Sequence, residues 1–254
     1  MPDFASRIDD LVSRAANRLI WRFAARPKSV DTATPLVSFT FDDVPDSALH
    51  AGAAILERYG ARGTFYIAGG IAGEVEADRT LISAAGCREL AARGHEIGCH
   101  TFAHEAVRRL HGRGLASDLD RNVAYLAEVT GEAAPPQNFA FPYNAAWPPA
   151  RRELRRRYRT CRGGGGEINR GPTDPWMLKG VGVEQPEEKA RGLTRVIDDV
   201  VADPGWLIFY GHDVAARPTP YGCTPETFEL LVRHAVDSGC AVLTVDRALD
   251  CLGW

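Results

Sequence analysis

Two groups of residues have the types and spacing for metal-assisted hydrolysis. His100 and His104 lie four apart in the run His-Thr-Phe-Ala-His. On a helical turn that spacing brings both imidazoles to one side, within reach of a single cation. No Glu follows His100, so the pattern is not that of the helical zinc proteases. Two imidazoles need a third ligand, and the adjacent Asp42 and Asp43 offer carboxylates. Neighbouring residues leaving a strand point in different directions, so one can bind metal while the other faces substrate. A nearby cation favours the ionised form of the second carboxylate, which suits a general base acting on water. The plainer reading is a cap for a helix opened by Pro45; capping by one Asp leaves the other free for catalysis.

The elements that must position these groups alternate along the chain. Apolar, strand-like runs occur at Leu36–Phe41, Gly63–Ile67, His95–Cys99, Asn138–Phe141, Leu178–Val183, Trp206–Tyr210 and Cys240–Val245. Between them, helical patterns cover Pro45–Tyr59, Cys87–Arg93, Leu115–Thr130 (ended by Gly131), Trp147–Tyr158, Pro186–Ala202 and Pro225–Ser238. The Gly163–Gly166 run reads as a flexible loop. Alternating strands and helices predict a mainly parallel sheet, and near-continuous apolar runs predict strands buried on both faces. An irregular β/α barrel fits the length, with a doubly wound open sheet as the alternative. Several of the strands run directly into ionisable or polar residues: Asp42-Asp43, His100, Pro142-Tyr143 and His212-Asp213. In β/α barrels those carboxyl ends converge on the active site.

Residues 4–23 predict an amphipathic helix, with Phe4, Ile8, Leu11, Ala15 and Leu19 at helical spacing and Arg7, Arg14, Arg18 and Arg22 among the polar positions. It could pack on its own domain, make a dimer contact or lie on a membrane surface. Residues 26–35 read as a linker, which divides the chain into an N-terminal helix and linker (1–35) and a barrel (36–254). A net charge of −3 over 254 residues argues against a nucleic-acid binder. The arginines of residues 151–157 read as a solvated helix face. Six scattered cysteines with no CxxC pair read as free thiols of a reducing compartment. No secretory signal or membrane span is visible, so a cytoplasmic enzyme is expected.

The motifs Thr40-Phe41-Asp42-Asp43, His100-Thr-Phe-Ala-His104, Phe141-Pro142-Tyr143 and Ile208-Phe209-Tyr210-Gly211-His212 occur in the order seen in polysaccharide deacetylases with a NodB-type domain (carbohydrate esterase family four). The chain resembles that family over roughly residues 36–250, and within it looks most like bacterial exopolysaccharide deacetylases of the holdfast-adhesin type. The resemblance implies a distorted (β/α)7 barrel. It implies that Asp43, His100 and His104 bind zinc or another divalent metal, that Asp42 is the general base and that His212 is the general acid. The Tyr143 backbone N–H would stabilise the oxyanion.

The chain departs from the family pattern in two places. Ala140 stands where an arginine usually holds the base, and Asn144 where a glycine usually follows the tyrosine. Arg162 is the candidate to replace that arginine from a neighbouring strand; a surface arginine beside a glycine loop is the competing reading. For His212, Asp174 or Asp246 is the candidate orienting partner. Tyr143, Trp176 and Tyr210 are candidate sugar-stacking residues, although most such aromatics are core, and residues 218–224 read as a loop over the site. The expected activity is removal of N-acetyl groups from N-acetylhexosamine units of an exopolysaccharide or its lipid-linked precursor. In the latter case, residues 4–23 would meet the inner face of the membrane. A deformylase or amidase on another substrate, and an inactive sugar-binding barrel, are the alternatives. A homodimer is the base-rate expectation.

Overall fold

In the run Leu36–Asp42, alternate side chains face opposite ways, and both sides are buried. Phe39 and Phe41 pack outward against Phe209, Phe65 and Phe228, with ring centroids 4.8–5.4 Å apart, while Ser38, Thr40 and Asp42 alternate with them on the inner side. Full burial of each such phenylalanine contributes about 1.5–3 kcal/mol. The same alternation therefore anchors the strand to its helices and turns Asp42 inward.

The computed structural model describes residue 12 and residues 15–20, 26–110, 112–132, 134–184 and 190–254. The strands are β1 (Lys28–Val30), β2 (Leu36–Asp42), β3 (Thr64–Ile67), β4 (Glu96–Cys99), β5 (Asn138–Ala140), β6 (Thr160–Gly165), β7 (Gly171–Thr173), β8 (Leu178–Gly182), β9 (Trp206–Gly211) and β10 (Ala241–Val242). Seven of them, β2-β3-β4-β5-β6-β8-β9, are joined by parallel pairing, and β2 also pairs with β9, which closes the ring. The irregular (β/α)7 barrel is thus observed, and the open sheet is excluded. The helices are α1 (residues 15–20), α2 (Ala54–Arg58), α3 (Ala84–Ala92), α4 (Arg113–Thr130), α5 (Arg151–Arg157), α6 (Ala190–Ala202), α7 (Pro225–Asp237) and α8 (Val245–Cys251).

Five differences from the sequence reading have physical causes. Gly163–Gly165 belong to strand β6 rather than a flexible loop; a Cβ on Gly163 or Gly164 would meet Met177 or Asn144, so the glycines serve close packing. The expected strand at Cys240–Val245 is only two residues long, because Thr244 caps helix α8 with its side chain. Val245, Ala248 and Leu249 of that helix pack with Leu36, Trp206 and Ile208 at the amino ends of their strands. Residues 26–35 are not wholly a linker, since β1 pairs antiparallel with β7. The helix expected over Pro45–Tyr59 enters through a π-helical turn at Ala48–Ala53.

The fifth difference concerns the N-terminal helix, most of whose expected span (residues 4–23) lies outside the described residues, as do residues 185–189 of the helix expected from Pro186. In the described part, Ala15 and Leu19 are exposed, while Ala16, Asn17 and Ile20 are buried. Ile20 joins a cluster with Val107, Phe141 and Ala146. The buried face is therefore offset by one residue from the expected stripe, because Asn17 has hydrogen-bond partners on the barrel. Five cysteines are buried, Cys251 is exposed, and all six are free. Among the described residues, no helix is long and apolar enough to cross a membrane.

Candidate metal centre and catalytic site

The carboxyl ends of the ring strands carry the chemistry. Asp42 ends β2 and Asp43 follows it; His100 follows β4, Tyr143 follows β5, and His212 follows β9. Six non-glycine residues have φ between 51° and 61°: Asp43, Val44, Thr101, His104, Tyr143 and Asn144. They are the complete set of such residues in the described chain, and all lie in three of the loops that form the site, those after β2, β4 and β5. Each costs on the order of 1–3 kcal/mol and persists only where the surroundings hold it. The sequence expectation of a helical turn at His100–His104 is replaced by irregular backbone. The Asp118 carboxylate of α4 fixes it by accepting the Phe102 and Ala103 N–H groups at 2.7 and 3.0 Å.

This backbone brings Asp43, His100 and His104 together, with potential ligand atoms within 4.8 Å of one another. Asp43 Oδ1 lies 2.8 Å from His104 Nε2 and 3.4 Å from His100 Nε2. His100 Nδ1 is 2.9 Å from the Ala140 carbonyl, which can only accept. Nδ1 therefore carries the hydrogen, and neutral His100 presents its Nε2 lone pair to Asp43. His104 Nδ1 lies 3.3 Å from the Tyr143 hydroxyl, leaving its Nε2 likewise turned inward. Asp43 Oδ1 is buried without a hydrogen bond of acceptable geometry. Lone pairs facing a buried carboxylate are the environment that a divalent cation satisfies, so the residues present fit a metal. Burial alone would raise the Asp43 carboxyl; hydrogen bonds and charge from protonated His100 and His104 outweigh it and hold the carboxyl far below the usual carboxylate range, the part a bound cation would take when both imidazoles are neutral.

Asp42, 3% exposed, is held by Arg162 Nη2, and Arg162 Nη1 donates to Asn144 Oδ1 at 2.8 Å. Arg162 on β6 is the register partner of Ala140 on β5. The arginine missing from one strand is thus supplied at the same level of the barrel by the next. The two departures from the family pattern are coupled, because Asn144 accepts the second arm of the displaced guanidinium. Tyr210 lies against Arg162, with 4.7 Å from guanidinium carbon to ring centroid.

His212 Nε2 is 3.7 Å from Asp43 Oδ2. Its Nδ1 donates to the Tyr221 carbonyl at 3.2 Å, so a main-chain group orients the imidazole. Neither aspartate candidate does so. Asp174 lies before β8, ion-paired with Arg151 and accepting the Trp176 N–H. Asp246 is at the opposite end of the barrel from His212, paired with Arg159 at 2.5 Å and donating its N–H to Glu96 at the start of β4. Trp176 is not brought to the site either: its indole N–H donates to the Tyr158 carbonyl at 3.0 Å, and Arg155 stacks on it. Half-buried, it uses its polar tip structurally.

A cleft of about 480 Å³ opens over these groups, lined by Asp42, Asp43, His100, His104, Tyr143 and His212 together with Tyr210, Tyr221, Glu184 and others. Tyr143 and Tyr221 are its exposed aromatics. Sequence reasoning missed Arg79, which donates to Asp43 Oδ2 at 3.2 Å and to Glu76. It comes from a polar loop without motif or periodicity, so no sequence signal marked it.

Fold and site together define a seven-stranded parallel barrel with an Asp–His–His centre at its carboxyl mouth. A family model described as polysaccharide deacetylase matches residues 29–158. The chain belongs to the polysaccharide deacetylase family, as its motifs led one to expect. No curated protein matches it by sequence. Among solved structures, it is similar to a family 4 acetyl xylan esterase from Clostridium thermocellum in complex with a cobalt ion (22% identity, 85% of this chain and 90% of that one, TM-score 0.58). It is also similar to the peptidoglycan deacetylase PdaC from Bacillus subtilis (17% identity, 87% and 93%, TM-score 0.56). A third is the catalytic domain of a peptidoglycan N-acetylglucosamine deacetylase from Eubacterium rectale (15% identity, 89% and 94%, TM-score 0.58). At these identities the likeness establishes the shared fold.

Proposed function

We propose that the protein is a zinc-dependent N-deacetylase acting on N-acetylhexosamine units of an exopolysaccharide or its lipid-linked precursor. The observation that carries this reading is the pairing of a buried, arginine-held Asp42 with a separate Asp–His–His ligand set, because a binding module needs no second carboxylate beside its metal. A divalent cation held by Asp43, His100 and His104 would polarise the acetyl carbonyl and make water a stronger nucleophile. Asp42, oriented by Arg162, takes the proton of the attacking water. The Tyr143 backbone N–H, carried on the left-handed turn after β5, donates to the oxygen that becomes negative. His212, with Nδ1 committed to the Tyr221 carbonyl, has Nε2 left to deliver a proton to the departing amine. Tyr143, Tyr210 and Tyr221 supply aromatic surface for a sugar ring.

Location and partners are part of the same proposal. The chain works in the cytoplasm, at the inner face of the membrane, with residues 4–23 as the contact. Val12 and Leu19 are exposed large apolar residues of the N-terminal segment, which supports an apolar surface there for the membrane to meet. Flotation of the intact chain with liposomes, compared with a version lacking residues 4–23, tests the contact; equal behaviour removes it. A homodimer is proposed on base rates alone, and sedimentation measures it.

The experiment for the activity is acetate release from N-acetylglucosamine oligomers before and after chelation, with zinc added back. Release that chelation stops and zinc restores is expected. Asp42→Asn should abolish release while zinc stays bound, and His104→Ala should lose zinc. Turnover unaffected by Asp42→Asn would sink the mechanism, and formate release or small-amide cleavage in its place would move the substrate class.

A further inference from the structure

We propose that Asn17, from the N-terminal helix, is a positioning residue for the reaction, clamping the loop that presents the Tyr143 N–H and braces Arg162. This rests on the reading of function just given. The site loops after β2, β4 and β5 each contain two left-handed non-glycine residues, and two of them have a visible restraint. Asp43-Val44 is tied to the neighbouring segment by Ile82 N–H to Val44 carbonyl at 2.8 Å and by the bridge from Pro45 to Leu81. The His100–His104 loop is held by Asp118.

The third loop, Pro142–Ala146, has its two left-handed residues in succession. Its internal hydrogen bonds reach only from Asn144 N–H to Phe141 and from Ala145 N–H to Pro142. What ties its far end is Asn17, whose carboxamide donates to the Asn144 carbonyl at 2.8 Å and accepts the Ala146 N–H at 3.1 Å. Two parallel bonds from one planar amide fix orientation as well as distance. Asn17 is itself 8% exposed and seated by Ala16 and Ile20.

The side chain at the clamped position is the one that accepts Arg162 Nη1 at 2.8 Å, and Arg162 holds Asp42. A continuous path of hydrogen bonds therefore runs from the N-terminal helix to the general base, and it passes the oxyanion donor one residue before Asn144. Asn17 touches neither substrate nor metal ligand. Its effect is on where Tyr143 N–H and Asp42 sit, so it should act on kcat and leave KM and zinc affinity alone.

The test uses the full-length zinc protein with Asn17→Ala and Asn17→Asp. Amide hydrogen exchange, read by mass spectrometry, needs no substrate. The peptide over residues 142–147 should exchange at least ~10-fold faster in N17A, with peptides over β2 and β4 unchanged. N17D keeps the acceptor for the Ala146 N–H and loses the donor to the Asn144 carbonyl, so it should retain part of that protection. On N-acetylglucosamine oligomers, kcat should fall roughly 10–100-fold in both variants at constant KM and zinc content. Unchanged exchange over 142–147 overturns the clamp, and faster exchange with unchanged kcat overturns the positioning role. A fall in zinc content, or loss of protection throughout the barrel in both variants, marks a merely structural residue and also overturns it. If the wild-type protein releases no acetate, the reading of function fails, and the exchange data still judge the clamp.

Discussion

At the scale of single residues, the site depends on a charge placed by its neighbours. Arg162 is fully buried beside an aspartate that is itself buried, and removing one partner of such a pair typically costs about 3–5 kcal/mol. Arg162→Ala is therefore expected to lower stability by that order and kcat by about 10–100-fold, with zinc binding retained; single-turnover rates and zinc titration check this. Arg162→Lys should recover little of the rate, since a single ammonium cannot span Asp42 and Asn144 as the planar guanidinium does. The sequence revealed much at this scale. Asp42, Asp43, His100, His104, Tyr143 and His212 carry spaced motifs at strand ends, and the gap at Ala140 points to Arg162 on the neighbouring strand. Partners that are main-chain atoms or lone polar residues left no such trace. The Tyr221 carbonyl behind His212, Arg79 beside Asp43, and Asn17 behind the loop after β5 are fixed only by three-dimensional packing.

Elements act through the spacing they impose. On β8, a Cβ at Gly180 would lie 2.8 Å from Arg162 Cδ, 2.9 Å from Tyr210 Cδ1 and 3.0 Å from the Gly163 carbonyl. Gly180→Ala should therefore cost about 1–3 kcal/mol and loosen Arg162 from Asp42, seen as a fall in kcat larger than any change in KM. Away from the mouth, α2, α3 and β4 are tied together by Glu57, which accepts two bonds from Arg93 at 2.8 and 2.9 Å and lies 3.0 Å from His95 Nε2. The hydrogen-bonded Arg93 guanidinium is the main cause that brings the Glu57 carboxyl down to about 2 from an ordinary value of 4.5. A folded-state value below the unfolded one means stability that is complete above about pH 4.5 and lost as pH falls toward 2. Glu57→Gln should cost about 1–2 kcal/mol near neutrality, after allowing for solvent screening. It should also flatten the acid limb of Tm against pH between 4.5 and 2. The strands of this layer were readable from their apolar runs. Helix α8 was not, because Cys240–Val245 continues the apolar character of a strand and only the Thr244 cap turns it.

At the scale of the molecule, the candidate metal centre would draw its ligands from the ends of β2 and β4, whose loops are strained. Cation binding to the folded state alone should stabilise the whole barrel. Zinc at a thousandfold excess over its Kd adds about 4 kcal/mol, a rise in Tm on the order of 10 °C for a domain of this size. Calorimetry with and without chelator measures it, and His104→Ala should erase the difference. The barrel class was legible from alternating elements because each strand is buried on both sides. Its closure was expected through the family resemblance of the motifs, because the pairing of β2 with β9 joins segments far apart in sequence and no local pattern records it.

That closure also sets a clock. The outer edge of β2 finds its partner only when β9, roughly 160 residues downstream, has been made. At ordinary rates of synthesis that is about 10–30 s. Throughout that interval Leu-Val-Ser-Phe-Thr-Phe presents an unpaired, strongly β-forming edge on the ribosome, the kind of segment that recruits strands from other chains. Yield during expression should therefore depend on how this segment is shielded while translation proceeds. Slower elongation, or loss of chaperone capacity, should send the chain into aggregates without altering the stability of the molecules that complete the ring.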